Sequence, residues 1–200
     1  MDITRNLNGA RALAVGAGLA LALAMGTAPT AAMADVRVGT TDVTVKADIS
    51  NVSFKAPTVI PFAANADGTL VGPSGKTLTI DNLSAYGIHV TNMKVTAKND
   101  WTIVADAKTG SAQNSIDFKV GPDKVEKDAS SATQTTGLDL SKDENFDMKY
   151  QGVADGTDKI KLSVSGHVAR VTRDIYHATG TGDQVASITW TVEPGAHATS

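Results

Sequence analysis

Lys159-Ile160-Lys161-Leu162-Ser163-Val164-Ser165 is the stretch on which the fold turns. Apolar and polar residues alternate one for one. Successive side chains of a strand point to opposite faces, so this run builds a strand with one dry and one wet side. The pattern extends to Thr172 and is the longest of its kind in the chain. Gly166 interrupts it, and afterwards the apolar phase slips from Val164 and Val168 to Ala169 and Val171. A bulge or a sheet-crossing bend near Gly166 would produce that slip.

The same period recurs on both sides. Val43, Val45, Ala47 and Ile49 alternate with Thr44, Lys46 and Asp48. Leu78 and Ile80, then Ile116, Phe118 and Val120, then Ile188, Trp190 and Val192 repeat it. Val90 and Val95 lie in a Thr/Lys-rich run where Asn92 marks an irregularity. Breaks fall at Asp67-Gly68, Pro73-Ser74-Gly75, Asn99-Asp100, Gly121-Pro122-Asp123, Asp155-Gly156 and Gly180-Thr181-Gly182-Asp183. Short strands punctuated this often predict an all-β chain: a single antiparallel β-sandwich, Ig-like or jelly-roll-like, of about nine to eleven strands. Lys124 to Gly137 holds almost no large apolar residue and reads as a long exposed loop.

The beginning of the chain is different. Ala12 to Gly26 is an unbroken apolar run behind Arg5 and Arg11, followed by Ala32-Met33-Ala34. A basic region, a short apolar helix and an A-x-A site are the parts of a secretory signal peptide. The expected organisation is a helical signal peptide over 1–34, a β-sandwich over 35–195 and a flexible tail over 196–200. The apolar run is short of the ~20 residues that a bilayer span needs, so no membrane span is expected after cleavage. The chain has no Cys. An exported body without disulfides must stand on packing alone, which points to a bacterial, Gram-positive source. Without the signal, 20 acids face 16 bases, interspersed. No basic stripe is available to neutralise phosphates, so nucleic acid is not an expected partner.

Catalytic patterns are missing: no Cys nucleophile, no G-x-S-x-G elbow, no H-E-x-x-H. No catalytic residue, cofactor or metal site is assigned. His167 and His177, with Asp174, lack any defining metal-ligand spacing, and His197 falls in the tail. Asp155-Gly156-Thr157-Asp158, Asn65-Ala66-Asp67-Gly68 and the carboxylates Asp139, Asp143, Glu144 and Asp147 read as turns and a solvated face, not as a calcium loop. Trp190, Phe54 and Phe118 share their phase with aliphatic neighbours and are assigned to the core. Tyr86, Trp101 and Tyr176 are the candidate exposed rings for a ligand, although Trp101, opening a strand after a turn, either caps the core or sits on its rim.

One ordered set of segments is more specific than composition. Pro57-Thr58-Val59-Ile60-Pro61-Phe62-Ala63-Ala64-Asn65-Ala66-Asp67-Gly68 is followed by Val71-Gly72-Pro73-Ser74, then Leu78-Thr79-Ile80-Asp81-Asn82-Leu83-Ser84, Val90 to Val95, Trp101 to Val104, and Ile188 to Val192. Taken in order, these resemble small secreted β-sandwich surface proteins of Gram-positive bacteria, mostly without an assigned activity. The layout is also distantly similar to TasA/camelysin-type exported matrix proteins. The resemblance implies a surface or matrix component and no chemistry. Independently of it, Pro57 and Pro61 cannot donate to a ladder, so their segment should be a sheet edge or a crossing.

The expected function is an exported, non-enzymatic module at the cell surface or in an extracellular matrix. Its partners would be other surface or matrix proteins, self-assembly included. The strand freed by cleavage, with Val36, Val38, Val43 and Val45, would be available for pairing with the edge of a neighbour. A soluble secreted binder of glycan or peptide is the alternative.

Overall fold

The computed structural model describes residues 44–46, 49–73, 78–175 and 182–197. The chain divides into two units, Met1–Val43 and Thr44–Ser200, and all described residues belong to the second. The signal segment, Val36, Val38, Val43, Tyr176 and His177 lie outside the described residues.

The described chain is mostly β. Its strands in order are β1 (Phe54–Lys55), β2 (Ala63–Ala64), β3 (Thr69–Val71), β4 (Thr79–Asn82), β5 (Ile88–Ala97), β6 (Thr102–Ile103), β7 (Ser115–Pro122), β8 (Lys127–Asp128), β9 (Leu138–Asp139), β10 (Asp147–Met148), β11 (Lys159–Ala169) and β12 (Ala186–Pro194). Twelve strands exceed the expected number because six are only two residues long. A two-residue strand has no period for a sequence to display.

The Lys159 run became β11, the centre of the larger sheet. β4 and then β3 pair along one edge, and β7 pairs along the other from Leu162 to Ala169. β7 also carries β6 and β8. The β6–β7 pair is parallel, unlike every other pairing described. The smaller sheet is built on β5, with β12 along one edge and β10 and β9 along the other. One residue, Thr91, is extra on β5 where its register to β12 shifts, next to the Asn92 that marked the irregularity.

Alternation explains the core. Ile160 and Leu162 on β11, Ile116, Phe118 and Val120 on β7, and Ile80 on β4 are buried. So are Ile88, Val90, Met93 and Val95 on β5, and the two sets belong to one cluster. Each fully buried aliphatic side chain contributes about 1.5–3 kcal/mol. Phe118 is core as expected, while Phe54 and Trp190 pack against it half-buried.

Three expectations are corrected. No bulge occurs at Gly166, since the β11–β7 register runs unbroken through it. Its glycine is required by a close approach: a Cβ there would lie 2.2 Å from the Asp117 carbonyl oxygen and 2.9 Å from Phe118 Cα. The phase slips because β11 exchanges β4 for β3 along its length and becomes half-buried on both faces. The Lys124–Gly137 segment is no open loop either. It contains β8 and a 3-10 turn, Ala129–Ala132, capped by Asp128 and burying Ala129 and Ala132 completely. Alanine is small enough to enter a core without leaving a hydrophobic signal in the sequence. The alternating run after Val43 is not a strand where it is described: Thr44–Lys46 has no strand pairing, Val45 is 94% exposed, and Ile49–Asn51 is a 3-10 turn.

The proline segment behaves as a crossing. It joins β1 to β2, the two ends of the path β1-β4-β11-β3-β2. Among the described residues, no helix is long and apolar enough to cross a membrane.

Candidate functional site

β12 is the longest strand with an edge left unpaired among the described residues. Two backbone bonds flanking its ladder fix which groups face outward. Lys98 N–H donates to the Val185 carbonyl at 3.0 Å, and Gly195 N–H to the Gly87 carbonyl at 2.9 Å. Bonded pairs alternate in an antiparallel ladder, and both anchors lie on odd residues of this strand. The odd residues Ser187, Thr189 and Thr191 therefore bond to β5. Ala186, Ile188, Trp190 and Val192 turn their N–H and C=O groups to the open side.

The same even residues supply the core face. On β5 the opposing Val95 and Met93 are buried, whereas Ile188 and Trp190 are only half-buried. The apolar layer thus continues past β5 and ends uncovered at β12. Glu193 is the only charge on the strand, and Pro194 closes it. Among the described residues, neither a Lys nor an internal Pro protects this edge.

Two polar clusters hold the ends of the smaller sheet. In the first, Lys98 to Trp101 forms a tight turn with Trp101 N–H donating to the Lys98 carbonyl at 3.0 Å. Asn99 and Asp100 both have positive φ there, 50° and 59°, as a type I′ turn requires. The Asp183 carboxylate accepts from Trp101 Nε1 at 2.9 Å, from Arg173 Nε at 2.5 Å and from Asn99 Nδ2 at 2.9 Å. The Trp101 bond and then the Arg173 bond hold its pKa down at about 2. Trp101 itself is 4% exposed, so it caps the core and is not an open platform for a ligand. Tyr86 is half-buried, with its carbonyl accepting from Asn82 Nδ2 at 2.8 Å. Of the three candidate rings, Trp101 is thus buried and Tyr86 half-buried, and Tyr176 lies outside the described residues.

The second cluster is His89, Asp147 and His197. His89 is buried on β5; its Nδ1 lies 2.6 Å from Asp147 Oδ1 and its Nε2 2.9 Å from the Leu140 carbonyl. Both neighbours are oxygen acceptors facing the two ring nitrogens. Asp147 also accepts from His197 N–H at 2.8 Å and faces His197 Nδ1 at 2.7 Å. His197, expected in the tail, is thus tied to the sheet. These bonds clasp β5, the Leu140 carbonyl, β10 and His197 together.

The remaining candidates are turn chemistry. Asp155 is held by Lys149 Nζ at 2.8 Å and by Thr157, which lower its pKa, and Asp67 by the N–H and hydroxyl of Thr69. Asp117 on β7 accepts from His167 N–H on β11 at 3.0 Å and from Ala107 N–H, between β6 and β7, at 2.7 Å. Among the described residues, no group of three or more His, Asp or Glu is placed to hold a metal. Asp147 and Asp183 were missed as organising residues because His89 and Trp101, which they hold, are 58 and 82 positions away. No protein-family model, curated protein or solved structure matches this chain.

Proposed function

We propose that the protein is an exported, non-enzymatic module that acts by protein–protein contact, at a cell surface or in an extracellular matrix. In this reading the two sheets are the layers of one β-sandwich, and the leader over 1–34 is removed. The observation that carries it is the edge of β12, unpaired among the described residues, where backbone donors and acceptors and half-buried Ile188 and Trp190 are offered together. Backbone pairing at such an edge supplies affinity, and the side chains alternating along it supply selectivity. Polar groups elsewhere are spent on turns and clasps, which suits a contact module better than an enzyme. For the rival binder of glycan or peptide, Trp101 offers no platform because it is buried, and Tyr86 is half-buried.

Separating the native host into medium, wall, membrane and cytosol tests this reading. The protein is expected outside the cytosol, beginning near Asp35 and co-purifying in multimers or with wall components. Material in the cytosol that still begins at Met1 would overturn it.

A further inference from the structure

The open edge raises the question of what covers it, and β12 is complementary to itself. Nine residues, Ala186–Pro194, place Trp190 at the midpoint. When two such strands run antiparallel about a two-fold axis, only a register centred on Trp190 pairs them along their whole length. Trp190 then faces the partner's Trp190, Ile188 faces the partner's Val192, and Ala186 faces the partner's Pro194. All of these lie on the core side, so the half-buried layer of one copy is completed by that of the other. On the outer side Thr189 meets the partner's Thr191, and Ser187 meets the partner's Glu193. Aromatic and Thr–Thr pairs of this kind are favourable across strands, and like charges opposed are not. The one charge on β12 meets a hydroxyl and never its own copy.

The backbone agrees with this register. The outward-turned residues Ala186, Ile188, Trp190 and Val192 are the ones that it brings opposite one another or the terminal Pro194. Slipping by one residue would oppose outward groups to groups already bonded to β5, and would set the apolar face against the wet one. Pro194 lacks an N–H and ends the ladder where the strand ends. Elsewhere the ends of the larger sheet's path are two-residue strands, and Pro57 and Pro61 flank the link between them, a common way to prevent edge pairing. Among the described residues, β12 has neither the short length nor the flanking prolines of those ends.

We propose that β12 is the interface between two copies of this chain, joined as one continuous antiparallel sheet across a two-fold axis at Trp190. A closed, isologous pair follows, with the same patch used by both partners. The inference rests on the contact-module reading and names its partner.

The test uses protein purified from its host, with variants expressed in the same host. Sedimentation should give twice the mass of one chain at micromolar concentration. Ile188→Pro removes an outward N–H and leaves the β5 ladder intact; it should weaken the dimer on the order of tenfold or more. Because the chain has no Cys, register can be read directly. Thr189 and the partner's Thr191 form a non-hydrogen-bonded pair, with Cα atoms about 4.5 Å apart, within disulfide reach. Mixing Thr189→Cys with Thr191→Cys under oxidation should trap a dimer that neither variant gives alone. A monomeric wild type at all concentrations would overturn the proposal. So would a dimer that fails to cross-link in this mixture, or one lost on deleting 35–46, which would assign the edge to the amino-terminal segment. If the monomer is still found in wall complexes, the contact-module reading survives with a different partner.

Discussion

Asp183 draws three side-chain donors to one carboxylate, and its pKa falls from an ordinary 3.8 to about 2. A depressed carboxylate stabilises the fold above its unfolded value and loses that contribution as pH drops through its folded value. Acid titration followed by near-ultraviolet circular dichroism should show Trp101 losing its environment between about pH 4 and pH 2. Asp183→Asn should be less stable at neutral pH and lack that limb. At the other clasp, Asp147→Ala leaves buried His89 without its carboxylate and releases His197. A cost of about 2 kcal/mol in urea unfolding is expected, with loss of amide protection at His197. Neither carboxylate stands out in the sequence, because its environment comes from residues remote along the chain. Trp101 was legible as a ring after a turn; its burial depended on Asp183 reaching it.

At the scale of elements, long strands announced themselves and short ones did not. β5, β7, β11 and β12 each repeat apolar side chains often enough to fix a face. The two-residue strands are defined by neighbours alone. Gly166 illustrates a different limit: a sequence shows that a glycine interrupts a strand, and only cross-strand packing shows whether it bends or lets a neighbour approach. The second holds here, so Gly166→Ala should force β11 and β7 apart. A loss of about 1–3 kcal/mol is predicted in chemical denaturation. A bulge would have tolerated alanine with little change. Ala129 and Ala132 make the same point from the opposite side, since a core position filled by alanine reads as a polar loop. Enlarging Ala129 to Leu should cost a similar ~1–3 kcal/mol by overpacking.

For the whole molecule, all-β class was visible in periodicity, and the shared core of the two sheets agrees with it. The open edge was not visible. Ile188-Thr189-Trp190-Thr191-Val192 looks the same in a sheet's centre as at its border, and only pairing distinguishes them. The proposed contact surface follows from that border being unpaired among the described residues. Residue-resolved amide exchange along β12 measures this directly. In dilute protein, Thr189 and Thr191 should be protected while Ile188, Trp190 and Val192 exchange quickly, and raising the concentration should protect all five. Slow exchange at Ile188, Trp190 and Val192 at every dilution would mean that the edge is already covered within one chain, and would contradict the account.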